Sequence, residues 1–216
     1  MHIIAFVTQK GGSGKSTLAS SLAVAALEAR ERVFIIDMDP QQSLIRWSKE
    51  RGEADIPVES VTPAKLSVTL SALEKSGVSL VIIDTPGSDS PTCTAAIKAA
   101  DLTIIPSRPS VFDLWSSEQT RKTLKEMKGD YAFLLNQCPP VQQSARVESG
   151  MVALEAMGGL LSPLIGLRVD FQDAARHGYG VTEINPSGYA ADEMRKLWQS
   201  LKRRLSKRSA PARKAA

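Results

Sequence analysis

The sequence has little cysteine, little histidine and few aromatic residues. Cys93 and Cys138 form no CxxC pair and no disulfide framework. Zinc or iron–sulfur centres held by cysteine are therefore excluded, and a reducing cytoplasm is the expected compartment. His2 and His177 have no metal-ligating neighbours at useful spacing. No apolar run approaches the ~20 residues that cross a bilayer. The apolar start MHIIAFV is too short for a signal-peptide core and runs straight into glycines. There is no G-x-S-x-G and no arrangement suited to Ser/His/Asp nucleophilic catalysis. Trp47 and Trp115 read first as packing residues and second as anchors on a partner surface.

What remains is an ordinary folded composition. The 216 residues are 43% hydrophobic and 23% charged, enough for one domain with a sizeable core. The net charge of +4 is unevenly placed. Residues 195–216 carry nine Lys and Arg and no acid, so the remainder holds 18 bases against 23 acids, a net of −5. A basic end on an acidic body points to an anionic partner, either nucleic acid or a membrane surface.

Short runs rich in Val, Ile and Phe alternate with helical patterns. IIAFV (3–7), RVFIID (32–37), SLVIID (79–84), DLTIIP (101–106) and YAFLLN (131–136) lack period-two alternation, as strands buried on both faces of a parallel sheet do. PVESV (57–61) reads as a weaker edge strand and LLSPLIG (160–166) as a further short one. Helices are expected near 16–29, 41–51, 63–76, 91–100, 113–127, 143–157 and 187–206. This order predicts an α/β fold, a doubly wound and mostly parallel sheet with helices on both faces. The expected domain is 1–206, followed by a basic disordered tail over 207–216.

QKGGSGKST, residues 9–17, follows the first strand and opens the first helix. Gly11, Gly12 and Gly14 let the backbone turn its N–H groups inward as a nest for phosphate, together with Ser13. The helix start beneath adds partial positive charge. Lys15 would reach the β- and γ-phosphates, Ser16 would ligate Mg2+, and Thr17 would bond the α-phosphate. The strict G-x-x-x-x-G-K-[ST] pattern fails by one residue, because its first glycine falls on Gln9. Acids follow at two strand ends: Asp37 and Asp39 in VFIIDMDPQ, and Asp84 in LVIIDTPG. The carboxyl ends of parallel strands gather such groups in the crevice where ligands bind. Mg2+ needs few protein ligands because it keeps several waters; Asp84 suits a bond to one of those waters. Asp37 and Asp89 read equally well as helix caps or turn formers.

KGGSGKST, DMDPQ and VIIDTPG, in that order, resemble the ParA/MinD family of deviant Walker-type ATPases. The likeness spans about residues 1–205, and SLIRWSK (43–49) is most similar to the small ParF-like and VirC-like members. IIPSRPSVFDL resembles the family's IIP-x-x-P-S-x-x-D segment, and Arg168, Ala174, Gly178, Val181 and Glu183 resemble a later family pattern. The first helix opens at the loop, as in short partition ATPases without an N-terminal helix-turn-helix. The resemblance implies a P-loop ATPase fold, ATP and Mg2+ as cofactors, and a sandwich dimer enclosing two nucleotides. It implies that Lys10 reaches the partner's phosphates, that Asp39 positions the attacking water, and that Asp37 helps order the Mg2+ shell. It also implies that Gly87 offers an N–H near the γ-phosphate, and that Asn136 and Pro109 lie beside the adenine.

The apolar spacing of Met194, Leu197, Trp198, Leu201 and Leu205 marks one face of the last helix. Its bases read in three ways: a solvated face, a nonspecific DNA surface, or a MinD-like membrane helix. DNA is the favoured reading, through Lys202, Arg203, Arg204, Lys207 and Arg208, with Arg121, Lys122, Lys125 and Lys128 widening the patch. The expected function is a cytoplasmic, nucleoid-associated partition ATPase with slow intrinsic turnover. Its partners would be a second copy, DNA, and a ParB-like or small centromere-binding adaptor that stimulates hydrolysis. The cargo would be a plasmid or chromosomal locus, or a protein cluster. The alternatives are a membrane-surface positioning ATPase and a small-molecule ATP-dependent synthetase or kinase.

Overall fold

A computed structural model describes residues 1–139 and 144–209, with side chains to Lys207. Six strands, β1 (His2–Phe6), β2 (Val33–Asp37), β3 (Val58–Ser60), β4 (Leu80–Asp84), β5 (Leu102–Ser107) and β6 (Tyr131–Leu135), form one sheet in the order β3-β2-β4-β1-β5-β6. Every pairing is parallel. The chain winds outward from β1 in both directions, so β1 stands at the reversal of strand order where such sheets open a binding crevice.

The strands alternate between two cores. Ile4, Phe6, Leu80, Ile82, Ile104 and Leu134 face one layer, while Ala5, Val7, Val81, Ile83, Ile105 and Leu135 face the other. Both faces are apolar, which is why the sequence shows continuous runs instead of alternation. The first layer holds α1 (Lys15–Glu28), α2 (Ser43–Arg51), α7 (Asp170–Arg176), α8 (Val181–Ile184) and α9 (Tyr189–Ser209). The second holds α3 (Pro63–Lys75), α4 (Pro91–Ala99), α5 (Val111–Glu126) and α6 (Ala145–Met157). From Leu18 to Ala26 α1 is buried without interruption. Its Ala and Ser side chains let it lie close between the sheet and α9.

Four expectations change. Residues 160–166 are not a strand: they make isolated bridges, Phe133 to Leu160 and Cys138 to Gly166. Pro163 between them has no N–H to continue the ladder. The last helix runs to Ser209, three residues into the expected tail; residues 210–216 and the Arg208 side chain lie outside the described residues. Trp47 is buried, as a packing residue should be, but Trp115 is 63% exposed. The short helices α7 and α8 fall where no helix was expected, since seven and four residues display too little periodicity to be read.

Candidate functional site: a phosphate loop between two lysines

The loop joining β1 to α1 lies at the carboxyl edge of the sheet, with the ends of β2 and β4 beside it. Gly14 precedes α1 at φ +92°, and a Cβ there would collide with Asn136 Nδ2. Asn136 donates from that nitrogen to the Ser13 carbonyl at 2.8 Å, tying the end of β6 to the loop. Gln137 donates to the Gly12 carbonyl at 3.2 Å. Gly87, just past β4, presses on the loop from the opposite side. A Cβ on it would lie 2.9 Å from the Gly11 backbone nitrogen, so no larger residue fits.

Lys15 is buried in the loop. Burial pulls its pKa down, and the carboxylates of Asp84 and Asp39 pull it back up. Ser16 Oγ donates to Asp84 Oδ2 at 2.5 Å. Asp84 is fully buried; desolvation, with Asp37 and Asp39 nearby, pushes its pKa up to about 7 against the Ser16 hydrogen bond and Lys15. Its Oδ1 has no hydrogen-bond partner among the described residues. A buried oxygen without a partner, beside the Ser16 hydroxyl, is a donor set for a hydrated Mg2+ ion, and the Lys15 ammonium beside it suits phosphate.

Asp37, fully buried at the end of β2, accepts from backbone N–H groups. Its Oδ1 accepts from the Asp39 N–H at 3.0 Å, and its Oδ2 accepts from Leu44 at 2.9 Å and Ile45 at 3.2 Å. The carboxylate thus holds the first turn of α2 and the backbone of Asp39. Desolvation raises its pKa while these N–H groups lower it. Asp39 is only partly buried and accepts from the Gln41 N–H at 2.9 Å.

Lys10 lies at the other end of the loop. Its ammonium donates to Asp113 Oδ2 at 2.6 Å, on the first turn of α5, and stands 5.9 Å from the Phe112 ring centroid. Asp113 also accepts from Arg108 and from the Ser110 hydroxyl. Burial works against its charge, yet these partners hold Asp113 below the usual carboxylate range. Sequence reasoning singled out neither Asp113 nor Arg108 as a site residue, although both stand in IIPSRPSVFDL.

A cavity of about 700 Å3 is lined by Gly11, Gly12, Gly14–Thr17, Asp39 and Gly87 and continues between α2 and α7 past Trp47 and Arg176. A smaller one of about 150 Å3 meets it at Gly14 and Thr17 and is lined by Asn136, Arg168 and Phe171. Pro109 lines neither; its Cα lies 3.8 Å from where a Cβ on Gly150 of α6 would stand.

The basic residues of α9 divide into two groups. Lys202 is paired with Glu31 at 2.7 Å, and Arg204 with Asp130 and the Tyr131 carbonyl, both at 2.9 Å. Arg203 and Lys207 are exposed and one helical turn apart. The stripe of Met194, Leu197, Trp198, Leu201 and Leu205 is buried against the body. On α5, Arg121 donates to the Tyr131 hydroxyl and Lys122 pairs with Glu118.

Comparison with known proteins agrees with this architecture. The "CobQ/CobB/MinD/ParA nucleotide binding domain" profile matches residues 4–207. The maintenance of carboxysome distribution protein A of Halothiobacillus neapolitanus is 31% identical over 211 residues, covering 90% of this chain and 93% of that protein. Its namesake from Gloeobacter kilaueensis is 41% identical over 114 residues, and there the match spans about half of each protein. Among solved structures, apo McdA of Cyanothece superposes with a TM-score of 0.79 at 18% identity, over 95% of this chain and 99% of that one. MinD of Pyrococcus horikoshii complexed with Mg-ADP gives 0.76 at 19%, over 97% and 99%. ATP and Mg2+ are the ligands of the ParA/MinD ATPases. By sequence profile, fold and phosphate loop, this chain belongs to the CobQ/CobB/MinD/ParA nucleotide-binding family, among its ParA/MinD-type P-loop ATPases.

Proposed function

We propose that this chain is an ATP-dependent positioning switch. Mg·ATP joins two copies face to face, the pair holds DNA without sequence preference, and hydrolysis stimulated by an adaptor releases it. The observation that carries this reading is the placement of two lysines. Lys15 is buried inside the loop beside Asp84 and Asp39, whereas Lys10 stands outside it on Asp113. A cation poised at the rim suits the phosphates of a facing copy, where charge develops on the transferred group.

The other residues follow from their surroundings. The N–H groups of Gly11, Gly12, Ser13 and Gly14 cradle phosphate oxygens, Lys15 takes the β- and γ-phosphates, and Thr17 the α-phosphate. Ser16 and Asp84 hold the Mg2+ site, and bound Mg2+ supplies charge neutralisation and orientation of the phosphate oxygens. Asp39 orients the attacking water, with its backbone fixed by Asp37. Gly87 brings an N–H to the γ-phosphate side of the loop. Asn136 stands at the cavity suited to the base, and Pro109 on the segment flanking it. Turnover is slow in the single chain, because the Lys10 ammonium arrives only with the partner.

Arg203 and Lys207, with Arg208 beyond the described side chains, are the surface offered to DNA; Lys202 and Arg204 chiefly fasten α9. The buried apolar stripe of α9 speaks against membrane insertion. Similarity along nearly the whole chain to a carboxysome distribution protein favours a large protein assembly as cargo, carried over the nucleoid by its adaptor. A plasmid or chromosomal locus is the second reading, favoured by similarity to the chromosome-partitioning ATPase Soj of Thermus thermophilus and the chromosome partitioning protein ParA of Caulobacter vibrioides.

Light scattering with Mg2+ and a non-hydrolysable ATP analogue tests the switch. The mass should rise from near 23.3 kDa to about twice that, and a gel shift on random plasmid DNA should need the same nucleotide. A single mass in every nucleotide state overturns the reading.

A further inference from the structure

We infer that Arg108 is a positioning residue for Lys10: it stays on Asp113 as the remaining counter-ion, so that Lys10 can leave for the facing copy. The inference rests on the sandwich reading above and deepens it.

Asp113 is 2% exposed, and two cations meet on it. Lys10 contributes one hydrogen bond, to Oδ2. Arg108 grips both oxygens, Nε to Oδ1 at 2.9 Å and Nη2 to Oδ2 at 3.3 Å. The Ser110 hydroxyl and the start of α5 add further stabilisation to the same carboxylate. A lone buried carboxylate would resist losing its only cation, because breaking one side of a buried pair strands the other charge. With the planar Arg108 fork in place, Asp113 remains paired after Lys10 departs. Lys10 and Arg108 are 31% and 34% exposed, so both reach solvent from the same rim. The Arg108 guanidinium lies near the loop as well: a Cβ on Gly12 would stand 3.9 Å from its Nη1. A lysine at position 108 would keep the charge and lose the two-point grip.

The test compares dimer formation with Mg2+ and a non-hydrolysable ATP analogue in the full chain. R108Q should need at least tenfold more protein to dimerise than the wild type. Its monomer should bind the analogue within about twofold of wild type, and R108K should fall between the two. D113N removes the carboxylate that retains Lys10, so R108Q/D113N should dimerise as D113N alone does. Equal dimerisation of R108Q and wild type overturns the inference. So does a further loss of more than threefold on adding R108Q to D113N, since Arg108 would then act on the nucleotide or the facing copy directly. The D113N comparison decides the matter even if R108Q alone folds poorly. A wild-type chain that stays monomeric sinks the sandwich reading itself, a result distinct from either of these.

Discussion

Lys15 and Asp84 carry opposite charges into the interior, and each is shifted toward neutrality by burial. Lys15→Ala should lower ATP affinity at least about 100-fold, roughly 2.7 kcal/mol, while the fold persists; equilibrium binding of a fluorescent ATP analogue measures it. Asp84→Asn should stabilise the nucleotide-free protein by on the order of 1–3 kcal/mol, because it removes a desolvated carboxylate whose Oδ1 has no partner. The sign with pH follows from the raised pKa. The folded state binds the Asp84 proton more tightly than the unfolded chain does, so this contribution is full below about pH 4 and lost as pH rises through about 7. Urea unfolding of the metal-free protein across that range should show the slope in the wild type and not in D84N. These residues were legible in the sequence because the loop, DMDPQ and VIIDTPG each lie within a few residues of chain. The Lys10–Asp113 pair was not, since 103 residues separate its members and only the fold brings them together. Asn136 was legible only through resemblance, and its bond to the Ser13 carbonyl could not be read from spacing.

Among the elements, α9 shows how one helix can carry two kinds of cation. Arg195 on Glu28 and Lys202 on Glu31 fasten it to α1 and the turn beyond, and Arg204 fastens it to the start of β6. Arg203→Glu with Lys207→Glu should weaken plasmid binding about tenfold at fixed salt and leave the melting temperature within about 2 °C, since the change lies on an exposed face. Lys202→Glu with Arg204→Glu should instead lower the melting temperature by several degrees. Gel shift and calorimetry on the same samples separate the two pairs. The amphipathic stripe of α9 was plain in the sequence, as were the five longer strands, whose apolar runs mark burial on both faces. What escaped were α7, α8 and the segment at 160–166. In that region ordering comes from tertiary partners such as Arg51, which donates to Glu183 and to the Gly178 carbonyl.

For the whole molecule, the exposed aromatics supply a reporter. Trp47 and Trp198 are buried, whereas Trp115 and the 70% exposed Phe112 sit edge to face at the head of α5, beside Lys10. If two copies meet over the loop, acrylamide quenching of tryptophan emission should fall on adding Mg2+ and a non-hydrolysable ATP analogue. It should not fall with ADP. Unchanged quenching in a confirmed dimer would place the head of α5 outside the contact.

The packing of α1 on α9, with the Arg195–Glu28 ion pair at its end, has a mechanical consequence. The helix that opens at the phosphate loop packs its apolar side against the helix that bears the outward-facing bases, and an ion pair pins its far end. About 21 Å of α1 separates its two ends, with no hinge between them. If seating of a triphosphate displaces the loop end of α1, α9 should swing with it as one bar, and the spacing between spin labels on α9 and on the sheet should change with nucleotide; an unchanged spacing would mean the two ends are uncoupled.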